Sequence, residues 1–172
     1  MRASIAALVV LSATTVLGAH AALPMPPGWR PPNDSELAYD HPFRGESSSR
    51  YLVVTGDFNG DGVVDEARLL VSTTRKMYGL VISFGGRQAA DMHLMLERGP
   101  ISTLSILGIG EFPQGKHELI CRGKEAGYDW CRPGEPTRLF LKNAGIERFF
   151  EGKSAYVYYV RGTHFHRLWV AD

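Results

Sequence analysis

From residue 51 onward the chain alternates short apolar runs with glycine, asparagine and proline. Between 66 and 72, Ala67, Leu69 and Val71 share one side of an extended chain while Glu66 and Arg68 take the other, the period of two that marks a half-buried strand. Tyr78, Leu80, Ile82 and Phe84 repeat it. The pattern predicts strands at 51–55, 66–72, 78–84, 88–96, 101–107, 118–121, 137–141, 155–160 and 164–170. The 88–96 segment also suits a short helix, through Ala89, Ala90, Met92, Met95 and Leu96. Gly85-Gly86 and Arg161-Gly162-Thr163 offer the positive φ of tight hairpin turns, and Gly108-Ile109-Gly110 reads as a further turn.

Residues 155–160 are apolar or aromatic on both faces, as in a central strand covered on both sides, and 164–170 is expected to pair with them as a hairpin. No apolar stripe of 3.6-residue period reaches helical length. The expected fold is therefore all-β, a mainly antiparallel meander of about eight or nine strands forming a sandwich, a barrel or a small propeller-like unit. Residues 22–50 form an N-terminal arm before this 51–172 domain, rich in serine and in prolines (Pro24, Pro26, Pro27, Pro31, Pro32 and Pro42) that fix φ and remove backbone donors. Within the arm, Asn33 or Asp34 is placed to cap a turn of helix, and Trp29 is the large apolar anchor expected to pack on the β-domain.

Residues 1–21 carry Arg2, an apolar run from Ile5 to Leu17 and small residues ending Ala19-His20-Ala21, the pattern of a secretory signal. A periplasmic or secreted protein with no membrane anchor is expected, since the run is short for a bilayer and no cysteine stands at the junction. Cleavage after Ala21 removes one base and no acid from 19 basic and 18 acidic residues, leaving 18 of each. A balanced chain has no long-range attraction for nucleic acid, and none is expected as a partner. Of the two cysteines, Cys121 and Cys131, an oxidising compartment makes one disulfide. Closing so short a loop contributes about 3 kcal/mol in the chain-entropy account. Tyr128 and Trp130 lie inside it, where a stapled loop displays aromatics to a partner at reduced entropic cost.

The candidate chemistry lies at 57–65. Asp57, Asn59 and Asp61 occupy positions one, three and five of a loop, with Gly62 at six, the Val63 carbonyl at seven and Asp65 at nine. Oxygen donors at alternate positions, with glycine where the backbone turns sharply, suit a Ca2+ ion that takes six to eight oxygens in relaxed geometry. Mg2+ suits a multi-carboxylate wrapping loop less well. Position twelve, which in an EF-hand is a bidentate glutamate, is Arg68, and the flanking residues read as strands. The expected site is a calcium loop between strands, built from Asp57, Asn59, Asp61, Val63 and Asp65.

The stretch from Thr55 to Ala67, with its run Gly56-Asp57-Phe58-Asn59-Gly60-Asp61-Gly62, resembles the calcium-binding loop of FG-GAP and VCBS-type β-repeats, which carry it repeatedly whereas this chain has it once. The order Gly28-Trp29-Arg30-Pro31, the loop, then Arg167-Leu168-Trp169-Val170 is similar to that of small exported proteobacterial proteins. More loosely, the chain is similar to periplasmic immunity proteins whose calcium loop sits on a β-fold and which inhibit peptidoglycan hydrolases. These resemblances imply a bound calcium and a protein partner in the envelope.

His164 and His166 stand two apart on an expected strand, as a transition-metal pair does, but without a third ligand nearby they read as surface residues. The sequence has no H-E-x-x-H, G-x-S-x-G or P-loop. The reading is thus a binding module rather than an enzyme. The alternative is a hydrolase of envelope polysaccharide or peptide with a supporting calcium.

Overall fold

The computed structural model describes residues 23–38, 43–45, 47–88, 92–119 and 136–171. The expected signal segment and the loop bearing Cys121, Tyr128, Trp130 and Cys131 lie outside the described residues.

Strand β3 (Asp65–Ser72) is the spine of the first sheet. It pairs on one edge with β4 (Met77–Ser83), which pairs in turn with β5 (His93–Pro100), all antiparallel. Its other edge takes β1 (Trp29–Arg30) against Val71 and Ser72, and β2 (Val53–Gly56) against Asp65 to Arg68. The alternation read as one buried face is overturned here, because β3 is buried on both sides from Asp65 to Val71. The N-terminal arm covers the charged side. Leu23 N donates to Glu66 Oε2 at 3.2 Å, Arg68 Nη2 donates to the Leu23 carbonyl at 2.8 Å, and Glu66 and Arg68 form an ion pair. Opposite charges two residues apart on one strand face neutralise each other, and the backbone of Leu23 adds a hydrogen bond to each.

Other described parts of the arm are also held in place. The Trp29 indole lies over Gly79, where an added Cβ would come within 2.8 Å of it. Asn33 caps α1 (Asp34–Leu37) in a reciprocal capping box with Glu36. Further on, Arg44 is buried and its Nη2 donates to the carbonyls of Leu104 and Leu107 at 2.9 and 2.6 Å. Burial lowers its guanidinium to about 10.

The second sheet runs in the order β11 (His164–Ala171), β10 (Ala155–Arg161), β9 (Gly145–Phe150), β6 (Leu107–Phe112), and a separate ribbon joins β7 (Gly115–Glu118) to β8 (Arg138–Leu141). Arg161 pairs with His164, so Gly162 and Thr163 make the two-residue hairpin loop the sequence announced. All pairings among the described residues are antiparallel. The fold is all-β, with two open sheets against a shared core that includes Phe58, Leu69, Leu80, Ile82, Leu104, Ile109 and Ile146.

Residues 101–106 are a 3-10 helix where a strand was expected. Ile101, Leu104 and Leu107 recur every third residue, which suits a three-residue turn, and Leu104 is fully buried. Gly108 and Gly110, read as a turn, lie within β6. Gly108 faces Phe149 of β9, and a Cβ there would come within 2.6 Å of that ring. The glycine leaves room for an aromatic on the neighbouring strand.

A polar knot joins the two sheets inside the apolar core. Glu97 of β5 accepts from the Tyr78 hydroxyl on β4, the Tyr158 hydroxyl on β10 and, at 2.9 Å, Nη2 of Arg148 on β9. The Arg148 guanidinium also lies 3.9 Å from the Phe150 ring centroid. Removing one member of such a buried charge pair costs about 3–5 kcal/mol, because it strands the other.

Burial, with the Glu97 carboxylate adding to it, pushes the Tyr78 phenol from 10.0 up to about 12 and raises Tyr158 as well. A raised phenol keeps its proton in the fold after the unfolded chain has lost it, so the stability it carries is complete below pH 10 and is lost as pH rises toward 12. In an alkaline titration, two of the seven tyrosines should ionise only as the β-sheet circular dichroism collapses. Ionisation of all seven with that signal intact would contradict the buried knot.

Candidate functional site

Residues 57–64 join β2 to β3, whose ends Gly56 and Asp65 are cross-strand partners. Phe58 anchors this connection: its side chain is fully buried in the shared core and folds back over Gly56. The rest of the loop stays at the surface and turns at Gly60 and Gly62, with φ of 80° and 83°. Such values are free of strain for glycine and costly for other residues.

The polar side chains curl inward onto the backbone of the loop. Asp57 Oδ1 accepts from the N–H groups of Gly60 and Asp61 at 2.7 and 3.1 Å, and its Oδ2 accepts from Gly62 at 2.9 Å. Asn59 Oδ1 accepts from Asp61 N at 2.9 Å, and Asp61 Oδ1 accepts from Val63 N at 2.9 Å. Asn59 Nδ2 donates to Asp61 Oδ2 at 2.8 Å. The Val63 N–H, and after it the Asn59 amide, hold the Asp61 carboxyl below the usual carboxylate range, and nearby Arg87 adds to this.

Asp65 behaves differently from the other three. It is fully buried, its Oδ2 accepts from Phe58 N at 3.0 Å and Asn59 N at 3.3 Å, and its Oδ1 accepts from Gly85 N at 3.1 Å. Burial pushes its carboxyl up, against the pull of those three N–H groups. Gly85 is required by close approach, since a Cβ there would collide with the Val64 carbonyl, while Gly86 supplies the positive φ of 69°. Asp65 therefore clasps the start of the loop to the β4–β5 turn.

A carboxylate has about four lone-pair sites. Three are used on Asp57, three on Asp65 and two on Asp61, so each keeps at least one, and the Asn59 carbonyl oxygen keeps one also. Asp57, Asn59 and Asp61, with the Val63 carbonyl, have the hard-oxygen chemistry that fits Ca2+. Asp65 has one free lone pair in a dry position, and Arg68 at position twelve is committed to Glu66. Among the described residues, no three His, Cys, Asp or Glu side chains converge as a metal-binding group. The loop's donors are one half-buried and one exposed acid, an amide and a carbonyl.

The histidines are placed apart from this loop. His93 contacts Ser83 Oγ through Nδ1 at 2.9 Å, and His117 contacts the Pro113 carbonyl through Nε2 at 2.7 Å. His164 and His166 are exposed on β11. What local motifs did not reveal is a cleft of about 870 Å³ between β5 and the β10–β11 hairpin, lined in part by Asn59, Arg87, His93, His166 and Arg167. Its walls come from segments some seventy residues apart, and only the fold unites them. No protein-family model, curated protein or solved structure matches this chain.

The clasp and the loop donors separate by mutation. Asp65→Ala strands three N–H groups, two of them on buried residues, and at about 1–3 kcal/mol for each buried orphan it should lower the melting temperature by a similar amount in calcium and in chelator. Asp57→Ala leaves its N–H partners to water and should be mild in chelator. Equal losses from the two variants in chelator would remove the distinction.

Proposed function

We propose that the protein is an exported calcium-binding β-domain that acts as a binding module for an envelope protein, most sharply as an inhibitor or immunity protein of a cell-wall hydrolase. The observation that carries the calcium reading is the inward curl of Asp57, Asn59 and Asp61 on a loop whose two ends are paired strands. Three aspartates including Asp65 place about −3 of formal charge in nine residues, and a divalent ion relieves their mutual repulsion. When bound, the ion supplies charge neutralisation and a cross-link. The residues of this chain supply the rigid frame: Phe58 plugs the core, and Asp65 fixes the exit of the loop to the β4–β5 turn. Calcium on this frame stabilises the register of β2 on β3.

The partner reading draws on the weaker likeness to periplasmic inhibitors and on the cleft beside the loop. A hydrolase is the second reading, favoured by the same cleft with its histidines and Tyr158. Inhibition of an added lysozyme-like enzyme supports the module, whereas turnover of cell-wall fragments by the protein itself supports the hydrolase.

Extracellular calcium modules bind at about 10⁻⁴ to 10⁻³ M. At roughly 10 mM Ca2+ this stabilises the fold by about 1.4–2.7 kcal/mol. The melting temperature should rise by roughly 3–10 °C over that in chelator. Asp57→Ala and Asp61→Ala should each abolish the rise. Equal melting in calcium and chelator for the unmodified protein would overturn the reading.

A further inference from the structure

β5 and β11 are the end strands of their sheets among the described residues, and both line the same cleft. The wall on one side is the continuous run from His93 to Leu96 of β5, and on the other the run from His164 to Arg167 of β11, joined by the Gly162-Thr163 hairpin loop and by Tyr158 and Val160 of β10. Continuous runs of an end strand offer main-chain N–H and C=O groups to an incoming strand, the geometry of β-augmentation. Alternate side chains then set specificity.

The charge of the lining is one-sided. Its described residues include Arg87 and Arg167 with three histidines, and no aspartate or glutamate. Arg87 is exposed and lies 4.5 Å from the Phe84 ring centroid, while Arg167 stacks 5.0 Å from that of Tyr156. Both guanidinium groups are steadied by aromatic faces; outside the lining Arg87 lies near Asp61, and Arg167 bonds to the Tyr158 hydroxyl and lies near Glu97, while the lining itself holds basic and no acidic side chains. Leu94 is 38% exposed, which adds an apolar contact on the β5 side.

We propose that this cleft receives an extended, acidic segment of the partner protein, laid along the free edges as an added strand with its carboxylates toward Arg87 and Arg167. Backbone hydrogen bonds give the segment its seat, and the guanidinium groups select acidic over neutral sequence. The inference rests on the binding-module reading and names the chemistry of its partner. Because Asn59 lines the cleft and Arg87 lies near Asp61, the titrations are made in chelator, with the calcium loop empty.

The test uses the full chain and titration calorimetry at low and moderate salt. The probes are the blocked hexapeptide Val-Glu-Val-Asp-Val-Glu, its Gln/Asn counterpart, the acidic peptide N-methylated at alternate residues, and digalacturonate. The acidic peptide should bind saturably and weaken with salt. The neutral and N-methylated peptides and the Arg87→Gln/Arg167→Gln double variant should each weaken binding by about tenfold or more. An unchanged melting temperature in that variant keeps a folding defect from mimicking the result. If melting falls, Arg87→Gln alone is used, since Arg87 is exposed and outside the core.

Absence of saturable peptide binding overturns the proposal and leaves the charges as protection of two sheet edges. Equal binding of acidic and neutral peptides, or digalacturonate binding where the peptide does not, overturns it as well. If the peptide fails while a lysozyme-like enzyme is still inhibited, the cleft assignment falls and the module reading stands. If both fail, both fall.

Discussion

A single buried carboxylate organises the region on which the functional reading depends. Asp65 sits at the first position of β3, yet its oxygens receive N–H groups from Phe58, Asn59 and Gly85. Two separate stretches of backbone, the start of the loop and the turn at Gly85, are thereby fixed to one side chain. An ionised carboxylate tolerates so dry a place only because those donors replace water. With the clasp closed, Phe58 is held in the core and the exposed half of the loop is left to arrange Asp57, Asn59 and Asp61 around its own N–H groups.

The same principle, charge buried only with partners, recurs at two other joints. Glu66 and Arg68 bind the N-terminal arm to β3, and Glu97 with Tyr78, Tyr158 and Arg148 ties the first sheet to the second. Each joint adds directional contacts between elements distant in the chain. Burial supplies most of the stability, and the polar knots fix which strands face one another. The cleft opens beside the last of them, with Tyr158 in both the knot and the lining.

Much of this was legible in the chain, and the exceptions have identifiable causes. The period-two runs located β3 and β4, and a run apolar on both faces followed by the turn at Gly162 located β10 and β11. The buried state of Glu66 and Arg68 was not legible, since it depends on an arm some forty residues away. β6 was hidden by Gly108 and Gly110, whose smallness answers Phe149 on another strand, and β9 by Arg148, whose charge is met by Glu97 across the core. In the loop, spacing marked five expected ligands but did not separate Asp65, which is buried, from Asp57 and Asn59, which are half-buried, and Asp61, which is exposed. Burial is a property of the fold around a residue, and position nine alone does not encode it.

The proposed calcium site needs the oxygens of Asp57, Asn59 and Asp61 to close on a divalent ion while Asp65 holds the frame. Calorimetric titration of Ca2+ into the unmodified protein and into Asp61→Ala tests it most directly. The account predicts one saturable site in the first and no saturable heat in the second, with the variant still folded in chelator. Absence of heat in the unmodified protein, or an undiminished site in the variant, would contradict it.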